Sequence, residues 1–152
     1  MEFAHKPDEA RVAFGKAMEL GSTSFYTHFQ WAARTWPATA DTSSQTLVEQ
    51  ALEQSIALNA TFPPAHALLG EVKTRLAKGE DGLAEVKRAA TLDPEDVRNR
   101  LALARVLWML NRRDEAQREA RSAMALVTTD ADRGAVQELI SFFEKNLSAP
   151  PK

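Results

Sequence analysis

The sequence predicts an all-α protein, a solenoid of antiparallel helix pairs, and three observations carry that prediction. Apolar and small residues recur at an offset of 34: Leu58, Leu92 and Leu126 fall in register, as do Leu69 with Leu103, Gly70 with Ala104, Val72 with Val106 and Ala89 with Ala123. Charged residues do not recur with them, so what repeats is packing, the mark of stacked units that each bury their apolar face against a neighbour. Within each period two runs of apolar residues spaced three and four apart are separated by a polar break, which is the pattern of helix, turn, helix. The composition agrees: 6 glycines in 152 residues, and a richness in Ala, Leu, Glu and Arg that favours helices.

The first element is PDEARVAFGKAMELG, Pro7 to Gly21, an amphipathic helix with a punctuated start and stop. Its Phe14, Ala17 and Leu20 align at an offset of 38 with Leu52, Ser55 and Leu58, which makes residues 8–20 the second half of a unit whose first helix is missing. The same offset pairs His28 with His66, Trp31 with Leu69 and Ala32 with Gly70. The four extra residues belong in the polar connection PATADTSSQ, Pro37 to Gln45, as a lengthened loop.

Three full units follow, over residues 23–58, 63–92 and 97–126. The first joins a helix over Thr23 to Trp36 to one over Ser44 to Leu58. The second runs from Pro64 to Lys78, turns at Gly79-Glu80-Asp81, and continues from Gly82 to Leu92, where Asp93-Pro94 ends it because proline cannot extend a helix. In the third, Val97 to Leu110 carries Leu103, Ala104, Leu107 and Leu110; Asn111 and two arginines break it. Asp114, Glu115 and Ala116 open its second helix, with acids where the helix dipole favours them and a buried stripe of Ala116, Ala120, Ala123 and Leu126. A closing helix over residues 130–146, capped by Thr129 or Asp130, presents Val136, Leu139, Ile140, Phe143 and Leu147; residues 148–152 form a tail.

This period and grammar resemble the tetratricopeptide repeat (TPR), a helical solenoid family with a 34-residue unit. His66, Leu69-Gly70, Lys73, Gly82, Val86, Ala89, Leu92 and Pro94 fall on its signature positions in one unit, and Arg100, Leu103-Ala104, Leu107, Ala116, Ala120, Ala123 and Leu126 in the next. His or Arg stands where Trp is common, and Ala60 and Thr128 where Pro would close a unit. The chain therefore reads as about 3.5 TPR-like repeats plus a C-terminal capping helix.

The resemblance implies a non-catalytic protein-interaction module whose first helices line a concave groove for a peptide or protein surface. Arg98, Leu101, Arg105 and Trp108 share about an 80° sector of one first helix. Their counterparts are Pro64, Ala67, Glu71 and Thr74, with Arg75 adjacent, and Tyr26, Phe29, Ala33 and Trp36. Candidate groove residues are thus Tyr26, Phe29, Trp36, Glu71, Arg75, Arg98, Leu101, Arg105 and Trp108, since aromatic and Arg side chains tend to dominate interface energy. Large aromatics at helical spacing also serve as core, and Glu71 and nearby acids could simply neutralise the arginines. Some TPR domains hold a partner's terminal carboxylates with Lys and Asn; here the matching positions carry Phe29, Ala33, Ala67 and Glu71, which disfavours that mode.

Other functions find little support. A net charge of −2 and an arginine-rich span interleaved with Asp114, Glu115 and Glu119 speak against nucleic acid and acidic membranes. No run approaches a membrane span and no signal segment opens the chain, so a cytoplasmic location is expected. With no cysteine, no HExxH, GxSxG or phosphate-binding glycine loop, and histidines (His5, His28, His66) too scattered for a metal site, no catalytic residue, metal or cofactor is expected. His28 and His66 occupy equivalent positions and read as packing between neighbouring helices. Two alternatives remain in view. The face of Ala10, Phe14 and Ala17, lacking its first helix, could meet a second copy of the chain or be covered by Phe3, giving a homo-oligomer or a self-capped end. The chain could also be an accessory segment of a larger enzyme.

Overall fold

A computed structural model describes residues 7–36 and 41–147. Among these it consists of α1 (Pro7–Glu19), α2 (Phe25–Thr35), α3 (Thr42–Leu58), α4 (Pro63–Arg75), α5 (Gly79–Leu92), α6 (Val97–Met109), α7 (Arg113–Ala123) and α8 (Asp130–Asn146), with a 3₁₀ turn at Met124–Leu126 after α7. Helices α2 and α3, α4 and α5, and α6 and α7 pack as antiparallel pairs, and each pair meets the next through α3 on α4, α5 on α6 and α4 on α6. The tail at 148–152, the loop at 37–40 and Phe3 lie outside the described residues, as does the side chain of Ala10.

Four helices, α2, α3, α6 and α8, begin where a side chain satisfies one of their first free N–H groups. Ser24 accepts from the N–H of Thr27, Asp41 from that of Ser44 at 2.8 Å, Asp96 from that of Arg98 at 2.9 Å and Thr129 from that of Asp132 at 3.0 Å. Of the two caps expected for the closing helix, Thr129 is the one used. The reversals within two pairs are closed by one residue in the left-handed region, Ala77 and Asn111, both at φ 61°. In each, the next N–H reaches back over the last turn, Lys78 to the Lys73 carbonyl and Arg112 to the Leu107 carbonyl, both at 2.9 Å.

This geometry corrects the turn expected at Gly79-Glu80-Asp81. The reversal is complete by Lys78, so those residues form the first turn of α5, where Glu80 and Asp81 face the positive end of the helix dipole. The helix expected to reach Leu126 likewise stops at Ala123 and tightens into the 3₁₀ turn.

Small residues set the spacing within pairs. Gly70 of α4 and Gly82 of α5 face each other so closely that a Cβ on Gly82 would lie 2.5 Å from the Gly70 carbonyl oxygen. The core runs along the pairs: Ala32, Val48, Leu52, Leu69 and Val72 fill one end, and Val86, Ala102, Val106, Leu107 and Phe143 the other. Val136 of α8 closes a third cluster with Val97, Leu101 and Ala123. Successive second helices are tied by Lys78, whose ammonium donates to both oxygens of the buried Glu49 carboxylate at 2.7 and 2.9 Å. That bond pushes the Lys78 pKa above its ordinary value. Among the described residues no helix is long and apolar enough to cross a membrane.

Candidate functional site

A cleft of about 350 Å³ crosses the first helices α2, α4 and α6. Its floor is apolar because these helices present small or flat side chains there at helical spacing: Phe29, Ala33 and Trp36 from α2, Ala67 and Leu68 from α4, and Ala102 from α6. Glu71, Asp96, Arg98, Asn99 and Arg105 supply the polar wall.

The charged groups of this wall are held in place by one another. Arg105 of α6 donates through Nε at 3.0 Å and Nη2 at 2.7 Å to one Glu71 oxygen on α4, an ion pair that links residues 34 apart. Arg98 grips Asp96 through Nε and Nη2 at 2.7–3.2 Å while the Arg98 backbone N–H caps on the same carboxylate. These bonds from Arg98 hold the Asp96 carboxyl below the usual carboxylate range and push the guanidinium further up. Asn99 is buried and donates to the Asp93 carbonyl at 3.0 Å, so it is fixed by the chain entering α6. Arg75, exposed at the end of α4, lies over the Trp36 ring at 4.9 Å and covers it. Trp36 is consequently 7% exposed although its ring lines the cleft.

Five of the nine candidate groove residues, Phe29, Trp36, Glu71, Arg98 and Arg105, line the cleft, with Arg75 lying over Trp36. Tyr26 stands exposed beyond the cleft in an aromatic ridge, with ring centroids 6.4 Å from Phe29 and 6.5 Å from Phe62. Phe62 in turn packs edge-on against Phe25 and Phe29, both at 5.1 Å. Leu101 and Trp108 do not line this cleft. Leu101 is buried with Val97, Ala123 and Val136, and Ala102 takes its place at the cleft. Trp108 stacks on Phe143 of α8 at 4.3 Å with the rings 9° from parallel, and the Arg113 guanidinium lies 5.0 Å from its centroid. The last unit has the capping helix as its neighbour, and α8 draws both side chains to itself.

Phe62, Leu68, Asn99 and Ala102 were not singled out by the sequence. Leu68 and Ala102 do stand 34 apart, and Arg98, Ala102 and Arg105 follow an i, i+4, i+7 stripe, which is the signal that would have found them. On α1, Phe14 and Ala17 are half-buried, with the Arg34 guanidinium of α2 lying 5.2 Å from the Phe14 ring centroid. His66 packs between helices: its Nε2–H donates to the Ala60 carbonyl at 2.9 Å and its Nδ1 meets Glu85 of α5 at 2.6 Å.

No protein-family model matches the chain, and no curated protein matches it. Solved structures do. TTC0263, a thermophilic TPR protein in Thermus thermophilus, superposes with a TM-score of 0.68 at 17% identity over 96% of this chain and 84% of that one. MamA gives 0.64 at 19% identity over 79% of this chain, and the match spans 63% of the MamA chain. The Yersinia enterocolitica type III secretion chaperone SycD, in complex with a peptide of the translocator YopD, gives 0.64 at 12% identity over 86% and 99% of the two chains. The repeating period, the antiparallel helix pairs and these superpositions lead to one conclusion: the chain has the tetratricopeptide-repeat fold, an all-α solenoid.

Proposed function

We propose that the protein is a non-catalytic interaction module that holds an extended peptide segment of a partner protein in the cleft across α2, α4 and α6. The observation that carries this reading is the chemistry of the cleft itself. An apolar floor of Phe29, Trp36, Ala67 and Leu68 lies beside arginines already oriented by Glu71 and Asp96. Such a surface accepts apolar side chains on its floor and presents oriented guanidinium groups to carboxylates or carbonyl oxygens of the ligand. The structural neighbour SycD, which is seen with a peptide of YopD, supports the same use of the fold.

The charge pairs shape what the cleft prefers. Each arginine keeps donors beyond those spent on its partner, because a guanidinium carries five. A ligand carboxylate can thus join Arg98 or Arg105 without breaking the resident pair. Peptides selected from a random library on the full chain should therefore combine apolar and acidic residues. The double variant Arg98→Ala, Arg105→Ala should weaken them by about ten-fold or more, the scale of at least one lost charge-assisted bond, while far-ultraviolet circular dichroism stays unchanged. Undiminished affinity in that variant would remove the arginines from the site.

A further inference from the structure

Two of the arginines along the cleft are neutralised and one is not. Arg105 holds Glu71 and Arg98 holds Asp96, so each of those guanidinium groups meets a ligand with its charge already matched. Arg75 is in the opposite state. Its guanidinium lies 4.9 Å from the centroid of the Trp36 ring, its side chain is exposed, and no carboxylate among the described residues pairs with it.

The repeat explains the difference. Glu71 precedes Arg75 by four residues on α4, the spacing and order in which an acid and a base pair along a helix. Arg105, 34 residues on from Glu71, takes that carboxylate instead, with Nε at 3.0 Å and Nη2 at 2.7 Å from the same oxygen. Glu71 is thereby committed to α6, and Arg75 turns to the aromatic ring of α2. The segment that follows Trp36, residues 37–40, contains no acid either. Contact with the face of a ring leaves the guanidinium donors for another partner while narrowing the positions the side chain visits. Because Trp36 lines the cleft, a ligand on its floor lies beside this group.

Given the peptide reading of the cleft, on which this assignment rests, we infer that Arg75, resting on Trp36, is the residue that reads charge in the ligand. It takes the carboxylate of an acidic side chain of the bound peptide, next to an apolar residue that lies on the floor of Phe29, Ala67 and Leu68. A guanidinium and a carboxylate meet through two parallel bonds, and at Arg75 no resident acid competes for them. At Arg98 and Arg105 a ligand acid shares the guanidinium with a carboxylate of like charge, which lowers its gain. The charge of the ligand is therefore set chiefly at the α2–α4 side of the cleft.

The test is the selection of a displayed random peptide library on the full chain and, in parallel, on its Arg75→Glu variant. Peptides selected on the wild type should carry Asp or Glu at a fixed place beside apolar residues. Those selected on Arg75→Glu should carry Lys or Arg at that place. In titrations, a wild-type-selected peptide should bind Arg75→Glu about ten-fold or more weakly, and recover most of that loss when its acid is replaced by Lys. Such reciprocal recovery does not arise from a general disturbance of the fold. Peptides that keep the same acid in both selections and bind both proteins alike overturn the role of Arg75 and leave the cleft reading standing. Selected peptides that leave the amides of Ala67 and Leu68 unmoved at saturation, or no enrichment on the wild type, remove the cleft reading and this assignment with it.

Discussion

Gly82→Ala is expected to destabilise the protein by about 2 kcal/mol, although alanine is the better helix former by about 1 kcal/mol. The added Cβ would lie 2.5 Å from the Gly70 carbonyl oxygen and 3.0 Å from the Thr74 nitrogen, both part of the α4 backbone. Neither can turn aside as a side-chain tip could, so α4 and α5 must separate along the whole pair. Separation would loosen the contacts of Leu83 and Val86, which are buried in the same interval. Urea denaturation measures the loss directly; a midpoint equal to or above that of the wild type would mean that the two helices are not held at this distance.

Phe143→Ala should cost still more, about 3–5 kcal/mol, the range for emptying a buried aromatic site. Phe143 is 1% exposed and joins the core of Leu83, Val86, Leu103 and Leu107 from the capping helix. Its ring also stacks on Trp108, so the same variant should shift part of the tryptophan emission to the red as that ring meets water. A stability loss below about 1 kcal/mol would contradict the role assigned to α8, because a well-packed core residue is not removed so cheaply.

Most of the solenoid was legible because its packing residues repeat. Leu69 and Leu103, or Gly70 and Ala104, betray the period without any knowledge of the structure and are buried in it. The cleft was legible at Phe29, Glu71, Arg98 and Arg105, where a first helix is flanked by another first helix. The cleft does not extend to Leu101 and Trp108, because extrapolating a stripe by 34 residues assumes that every unit has the same neighbour. The last unit does not: Val136 and Phe143 of α8 take up those two side chains. The turn at Gly79 was misplaced for a different reason, since Ala77 adopts a left-handed backbone that its side chain does not advertise. The unmatched charge of Arg75 is hidden in the sequence, where Glu71 stands four residues before it. Only the bonds that Arg105 makes to that carboxylate expose it.

Whether the cleft on the first helices receives a peptide can be read from a titration of the nitrogen-15-labelled full chain with a peptide selected from a random library, followed by amide chemical shifts. The shifts should concentrate at Phe29, Ala33, Ala67, Leu68, Asn99 and Ala102, on three different helices. Shifts confined to the second helices α3, α5 and α7, with those six amides unmoved at saturation, would place the peptide elsewhere and refute the assignment of the cleft.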